Sequence, residues 1–393
     1  MKIAVIGTKG LPPKQGGIEH YCAEVYPRMV AQGHSVDLYA RSSYTQLPAY
    51  HRQDFKGVQV ISLPCPGLRG FDAFLSSALG AISCISKSYD VVHFHALGPS
   101  LFTWLPKIAS SSKIVVTCQG LDWQRDKWGK ASSQLILLGE KAAVRCADKI
   151  IVVSKALSSY FQQTYSLDTT FIPNGPASYA DSDPDFSYGT SLGLTKSRYI
   201  IFLGRLVPEK CPDLLIEAFQ KLQPEGWKLV LIGGNSDTNT YTKQLFQAAA
   251  NNSNILFTGE LLGSRLAEIV RGSGLFVLPS IVEGLPLAML EGMNEGIPVL
   301  ASNIAPHQQL INKGSGLLFQ VRNTESCVQQ LAWAIEHPEE MKSMAAKAQM
   351  NVHSNYSWSN ISAETLKVYE SVLGTERRSS QQIAADNASY SRR

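Results

Sequence analysis

Residues Glu283–Glu291 read EGLPLAMLE and begin three residues past the end of the apolar run LFVLPS at 275–280. A run of Leu, Phe and Val that ends in Pro and then Gly-Leu-Pro reads as a strand leaving through a tight turn into a helix. Such a unit exposes backbone N–H groups at the positive end of a helix dipole, where anions dock. Two carboxylates eight residues apart, Glu283 and Glu291, flank this turn. Carboxylates accept hydrogen bonds from sugar hydroxyls while a helix N-terminus takes phosphate, so the pattern suits a ligand carrying both, as a nucleotide-sugar does. The same spacing also suits an ordinary acidic helix in which Glu283 complements the dipole.

Outward from this stretch the strand-then-helix alternation repeats along the chain. KIAVIG, SVDLYA, VQVISL, DVVHFHA, KIVVTC and KIIVVS in the first half are short apolar runs rich in Val and Ile. RYIIFLG, KLVLIGG, NILFTGE, LFVLPS, GIPVLAS and GLLFQV repeat the pattern in the second. Between them lie stretches of helix period such as IEHYCAEVYPRMVAQG, which ends at Gly33. This is the signature of βαβ units building buried parallel sheets, an α/β class. At 393 residues the chain is long enough for two such domains, each with its own core. The expected boundaries are 1–176 for the first, a polar linker at 177–196, 197–352 for the second, a terminal helix at 353–374 and a disordered tail at 375–393. The tail, TERRSSQQIAADNASYSRR, lacks an apolar face. Doubly wound sheets bind ligands at the carboxyl ends of their strands, so a central cleft faced by both domains is the expected ligand site.

Composition is that of an ordinary soluble protein, with 44% hydrophobic and 17% charged residues, and the net charge of +4 is uneven. Residues 1–176 hold 18 Lys and Arg against 11 Asp and Glu, whereas the remainder holds 18 against 21. A basic first half suits an anionic partner such as a membrane surface or a lipid pyrophosphate, and equally suits scattered solubilising lysines. Seven dispersed cysteines with no C-x-x-C read as reduced thiols in a cytoplasmic protein, with no zinc site. MKIAVIG begins a strand at once and is too short for the apolar core of a signal peptide. FLSSALGAISCIS at 74–86 is too short to span a bilayer and is expected as a buried helix. The expected location is therefore cytoplasmic, with peripheral attachment at the inner membrane face as a further option.

Four segments in order carry a family resemblance: KQGGIEHYCAEVYPRMVAQGHSVDLYA at 14–40, FIPNGP at 171–176, GRLVPEKCPDLLIEAF at 204–219, and EGLPLAMLE continued by GMNEGIPVLASN. Together they resemble the retaining glycosyltransferases of the GT-B fold, family 4, also called glycosyl transferases group 1. GLDWQRDKWG at 120–129 further resembles a bacterial subgroup of rhamnosyltransferase-like members. The resemblance implies two Rossmann-like domains and a nucleotide-diphosphate sugar as donor. The implied acceptor is a saccharide or lipid-linked saccharide, the setting polysaccharide or glycolipid assembly in the cell envelope, and no metal cofactor is needed.

In that view Arg205 and Lys210, just after Gly204, match the diphosphate-binding pair. A guanidinium fork and a mobile ammonium suit the charge that develops on a departing diphosphate. Glu283 is implied at the donor sugar's hydroxyls and Glu291 at the ribose, with Gly284 and the backbone N–H groups of Leu285 and Leu287 beside them. Pro286 has no N–H to offer. Gly16 and Gly17 are implied to let backbone approach the donor closely. Catalysis is implied for Arg205, Lys210 and Glu283, by front-face substitution in which the departing phosphate takes the acceptor's proton.

The first domain supplies candidates for an acceptor or sugar pocket. His93 and His95 alternate in DVVHFHA and are expected on opposite faces, with His95 the one nearer the pocket. Gln119 stands where the family often has His, so an imidazole-dependent mechanism does not carry over, though an amide still binds a hydroxyl. Asn174 in FIPNGP, and Asp122, Trp123 and Arg125 beside Lys127 and Trp128, complete the set. Several motifs fail. D-x-D within DSDPD at 181–185 lies in the polar linker, GK at 129–130 lacks the glycine a P-loop needs, and GTKGLPPKQGG is not a dinucleotide fingerprint. The basic residues are not clustered, so nucleic acid is not an expected partner. Two alternatives keep the fold: a nucleotide-sugar epimerase needing no acceptor, and a non-catalytic sugar-binding subunit.

Overall fold

A computed structural model describes residues 1–13, 16–67, 71–124, 129–234, 239–311 and 314–390, with backbone alone for 239 and 375–390. The chain forms two compact units. One holds the residues up to Asn174 and again those from Trp358, the other Gly175–Ser357.

The first unit is built on an eight-stranded sheet. Its strands are β1 (Lys2–Ile6), β2 (Ser35–Arg41), β3 (Arg52–Phe55), β4 (Val58–Leu63), β5 (Val91–His95), β6 (Lys113–Cys118), β7 (Lys149–Val152) and β8 (Thr170–Phe171). They lie in the order β3-β4-β2-β1-β5-β6-β7-β8, parallel throughout except for β3, which runs antiparallel to β4. Ile3 and Val5 on β1 and Val36 and Leu38 on β2 are at most 1% exposed. Helix Gly17–Ala31 covers one face with Tyr21, Cys22, Val25, Tyr26 and Met29, all buried. The final helix, Trp358–Tyr390, lies against it, bonding Thr365 Oγ1 to Tyr21 Oη at 2.9 Å and adding Tyr369 to the core.

The second unit has six strands: β9 (Tyr199–Leu203), β10 (Lys228–Ile232), β11 (Ile255–Gly259), β12 (Leu275–Leu278), β13 (Val299–Ser302) and β14 (Leu317–Phe319). All are parallel, in the order β11-β10-β9-β12-β13-β14. The chain winds outward from β9 in one direction, then returns and winds outward from β12 in the other. Loops leaving the carboxyl ends of β9 and β12 therefore diverge, and this reversal point is where open α/β sheets form a binding crevice.

All twelve apolar runs are strands, and two strands that the runs did not indicate are added. β3 is the polar RQDF, held only by pairing with β4, and β8 is two residues long. The segment expected as a linker is folded into the second unit. Phe186 is 4% exposed and stacks on Tyr199, and the Gly189 amide donates to Glu268 Oε1 at 2.9 Å. Its aromatic residues give it the apolar anchors that its polar average conceals. Within it Asp183 caps a turn, accepting from the amides of Asp185 and Ser187. The tail expected to be disordered continues the last helix to Tyr390. Residues 375–390 contain no Gly or Pro, and extending an existing helix needs no new nucleus.

The helix at 71–85 departs from the buried one expected. Its inner side packs Ser77, Ala81 and Cys84, but Phe71, Phe74 and Ile82 face outward. His93 and His95 also depart from expectation. Residues two apart on a strand share a face, and the two rings stack with centroids 4.2 Å apart. None of the seven cysteines is in a disulfide, and no described helix is long and apolar enough to cross a membrane.

Candidate active site

The turn after β9 begins at Gly204, where a Cβ would stand 3.1 Å from Cδ of Lys210. A bare backbone here leaves room for the lysine stem, which folds back from the short helix Pro208–Lys210. The turn after β12 runs Pro279–Pro286 and opens helix Leu287–Asn294. The amide of Ile281 donates to the Glu209 carbonyl at 2.9 Å and ties the two turns together. Lys210 Nζ then lies 2.7 Å from Glu283 Oε1, with the two side chains 16% and 10% exposed. Ser280 Oγ donates to the same oxygen at 2.8 Å. Burial pushes the Glu283 carboxyl upward, but the Lys210 charge and these hydrogen bonds outweigh it and hold it below its usual value. An ionised acceptor and a cation thus stand side by side at the reversal point of the sheet.

Gly284 and Leu285 are buried behind Glu283, and Leu287 is the first residue of the helix. The Met289 and Leu290 amides turn back to the Pro286 carbonyl, both at 3.1 Å, and the N–H groups before them have no carbonyl of their own helix to meet. Glu291 lies one turn further on, where Tyr179 Oη donates to Oε2 at 3.0 Å. Burial raises its carboxyl to about 7, against the lowering effect of hydrogen bonds from Tyr179 and the Ala177 backbone. Arg205, 39% exposed, stands 3.9 Å from Glu209 Oε1. Glu209 itself is 5% exposed and neither of its oxygens has a hydrogen-bond partner among the described residues.

Sequence reasoning missed His307, which is fully buried on the short helix Ala305–Leu310 that follows β13. Its Nδ1 is 2.8 Å from the Ser302 carbonyl, which only accepts, so Nδ1 carries the proton. Burial lowers the ring to about 4, so it is neutral and Nε2 is a lone-pair acceptor, without a partner among the described residues. Ser302 Oγ meanwhile donates to the Ser280 carbonyl, joining β13 to the Glu283 turn. Tyr179, Glu209, Ser280 and Ser302 were likewise missed. Each matters through a contact between segments well apart in sequence, for which no local signal exists.

The remaining candidates lie in the first unit. Gly16 precedes helix Gly17–Ala31 with φ +101°, and a Cβ there would stand 2.2 Å from Glu19 Oε2. Glu19, 3% exposed, accepts from Thr8 Oγ1 and the Lys9 amide, fixing the turn after β1 to the helix. His95 is sealed in the core, with Nε2 2.7 Å from Tyr26 Oη, and burial lowers it to about 3. Gln119 and Asn174 meet directly, Asn174 Nδ2 donating to Gln119 Oε1 at 2.7 Å. Gln119 Nε2 and Asn174 Oδ1 are both buried without a partner among the described residues. Exchanging N and O on both amides would reverse the bond and still leave one donor and one acceptor. A hydroxyl, which does both, matches that pair. Asp122 and Trp123 lie in the short helix Asp122–Gln124, where the Trp123 indole N–H donates to Glu140 Oε2 at 3.0 Å. Glu140 is fully buried and also accepts from Tyr160 and Tyr165, so Trp123 anchors this turn through its N–H. Arg125, with Lys127 and Trp128, lies outside the described residues.

The family description "Glycosyl transferases group 1" matches residues 190–350, and "Glycosyltransferase Family 4" matches residues 15–176. The chain belongs to the family 4, group 1 glycosyltransferases. Among curated relatives, this transferase is 26% identical to the alpha-maltose-1-phosphate synthase of Mycolicibacterium smegmatis over 79% of its own chain and 87% of the relative. It is 25% identical to the D-inositol 3-phosphate glycosyltransferase of Gordonia bronchialis over 99% of its own chain and 93% of the relative. Its fold matches sucrose-phosphate synthase from Thermosynechococcus elongatus with a TM-score of 0.81 at 19% identity, covering 95% and 99% of the two chains. It also matches Anabaena HepE, solved with UDP and glucose, with a TM-score of 0.76 at 18% identity, covering 94% and 100%. The transferase therefore has the GT-B fold.

Proposed function

We propose that this glycosyltransferase is retaining and metal-independent. It moves a sugar from a nucleotide-diphosphate donor to a saccharide or lipid-linked saccharide, in polysaccharide or glycolipid assembly in the bacterial cytoplasm. The observation that carries the reading is the Lys210–Glu283 pair at the reversal point of the second sheet. Arg205 and Lys210 hold the diphosphate, Glu283 accepts from the donor sugar's hydroxyls, and Glu291 accepts from the ribose. Gln119 and Asn174 in the first unit bind one hydroxyl between their free donor and acceptor. Anabaena HepE was solved with UDP-glucose, which makes UDP-sugars the first donors to test.

In the reaction the bond from the anomeric carbon to the phosphate oxygen breaks, and a bond to the acceptor oxygen forms on the same face. The acceptor's hydroxyl proton passes to the departing phosphate. Arg205 and Lys210 stabilise the negative charge that collects there, which is worth ~3–4 kcal/mol per well-placed donor. His95 does not act as a proton carrier, because it is buried and neutral. The test is the anomeric configuration of the product, read by NMR with EDTA present. A product with the donor's configuration, formed at an unchanged rate in EDTA, is expected. An inverted product, or a rate abolished by EDTA and restored by a divalent ion, would contradict the reading. Interconversion of the nucleotide-sugar without acceptor would instead mark an epimerase.

A further inference from the structure

Eleven large apolar side chains are exposed among the described residues, and seven of them stand on three helices of the first unit. On helix Phe71–Ile85 the outward residues are Phe71, Phe74 and Ile82, at a spacing that keeps them on one stripe. Helix Trp104–Ala109 presents Trp104, 47% exposed, and Ile108, 78% exposed. Helix Lys130–Cys146 presents Leu135 and Leu138, one turn apart. The three helices are neighbours, and Phe74 meets Phe102 of the intervening turn edge-on, with centroids 4.8 Å apart. Singly exposed apolar residues are ordinary, but a concentration of them on adjoining elements marks a contact surface.

The charges on these helices decide what the contact is with. Lys130, Lys141 and Arg145 are exposed, as is Lys107, whose charge is matched by Asp148 at 2.7 Å. The two acidic residues of the same helices are turned inward: Asp72 is 9% exposed, accepting from Ser43, and Glu140 is fully buried. The outward face is therefore apolar and cationic with no exposed acid on its helices. A tryptophan and aliphatic side chains ringed by lysine and arginine match the boundary between anionic headgroups and acyl chains. We infer that this face docks the protein on an anionic lipid surface. The basic balance of residues 1–176 strengthens the same attraction at longer range. A lipid-linked acceptor would then be met at the surface where it resides, but the docking itself needs no turnover, so its test stands apart from that of the transferase reading.

The full chain is floated with phosphatidylcholine vesicles prepared with and without phosphatidylglycerol. Binding is expected to the phosphatidylglycerol vesicles alone, and to weaken as salt is raised. The double variant Ile108→Ser, Leu138→Ser should lose about tenfold or more in partitioning. Lys130→Glu with Lys141→Glu should lose about fivefold or more per charge. Both variants should keep the wild-type thermal midpoint, because every changed side chain is exposed. Absence of flotation with either vesicle, or equal flotation of the apolar double variant, would overturn the inference. So would a wild-type dimer in sedimentation that Ile108→Ser converts to monomer, since a second copy would then own the face.

Discussion

Lys210 and Glu283 hold each other at 2.7 Å in a largely enclosed place, so neither can be removed without leaving the other unmatched. Lys210→Ala and Glu283→Ala should each lower kcat by about 10²–10³ in initial-rate assays, the cost of one preset group facing developing charge. Turnover within about threefold of wild type in either variant would remove both from the chemistry. Glu291 gives a second prediction through pH. Its folded pKa of about 7 lies above the unfolded value, so the folded state holds the proton more tightly. That contribution is complete below about pH 4.3 and is lost as pH rises through 7, on the order of 3–4 kcal/mol in all. Glu291→Gln should therefore unfold at a higher midpoint than wild type at pH 8 and gain nothing at pH 4.5. An equal gain at both pH values would show that the carboxyl is not the cause. These charged residues were legible as candidates because each sits in a short run with its own turn chemistry. His307 and Tyr179 were not. His307 reaches the site only because β13 lies beside β12, and Tyr179 was masked by the polar composition around it.

Strands and helices were read well wherever burial is two-sided, since both faces of a parallel sheet demand Val, Ile and Leu without interruption. β3 escaped because RQDF has no pattern of its own and forms only by pairing with β4. The helix at 71–85 was legible as a helix but not as a surface one. Its sequence carries a single charge, Asp72, and that residue is turned inward. An apolar outward face cannot be told from a core face by composition. Helix Lys130–Cys146 offers a sharp element-level test at Gly139, where a Cβ would stand 2.0 Å from the Leu97 carbonyl oxygen. Gly139→Ala should push this helix off the turn it packs on and cost about 1–3 kcal/mol in urea unfolding. A loss under about half of that would mean that the helix shifts freely, and the anchoring of Trp123 through Glu140 would loosen with it.

At the scale of the whole chain there are two doubly wound units of unlike charge. The second carries the Lys210–Glu283 pair, and the first carries the Gln119–Asn174 amides and the apolar, cationic face. The fold class and the two-unit division were legible from alternation alone, and the family from four ordered segments. The Lys210–Glu283 and Gln119–Asn174 pairs each join segments far apart in sequence, so a linear reading does not pair them. The measurement that tests the donor site most directly is a thermal-shift panel of UDP, GDP, dTDP and ADP, without added metal, on wild type and Lys210→Ala. One diphosphate should raise the wild-type midpoint, by ~2.7 kcal/mol of stabilisation at 100 times its Kd, and leave Lys210→Ala unmoved. No shift with any of the four, or the same shift in Lys210→Ala, would contradict a diphosphate site at Lys210 and Glu283.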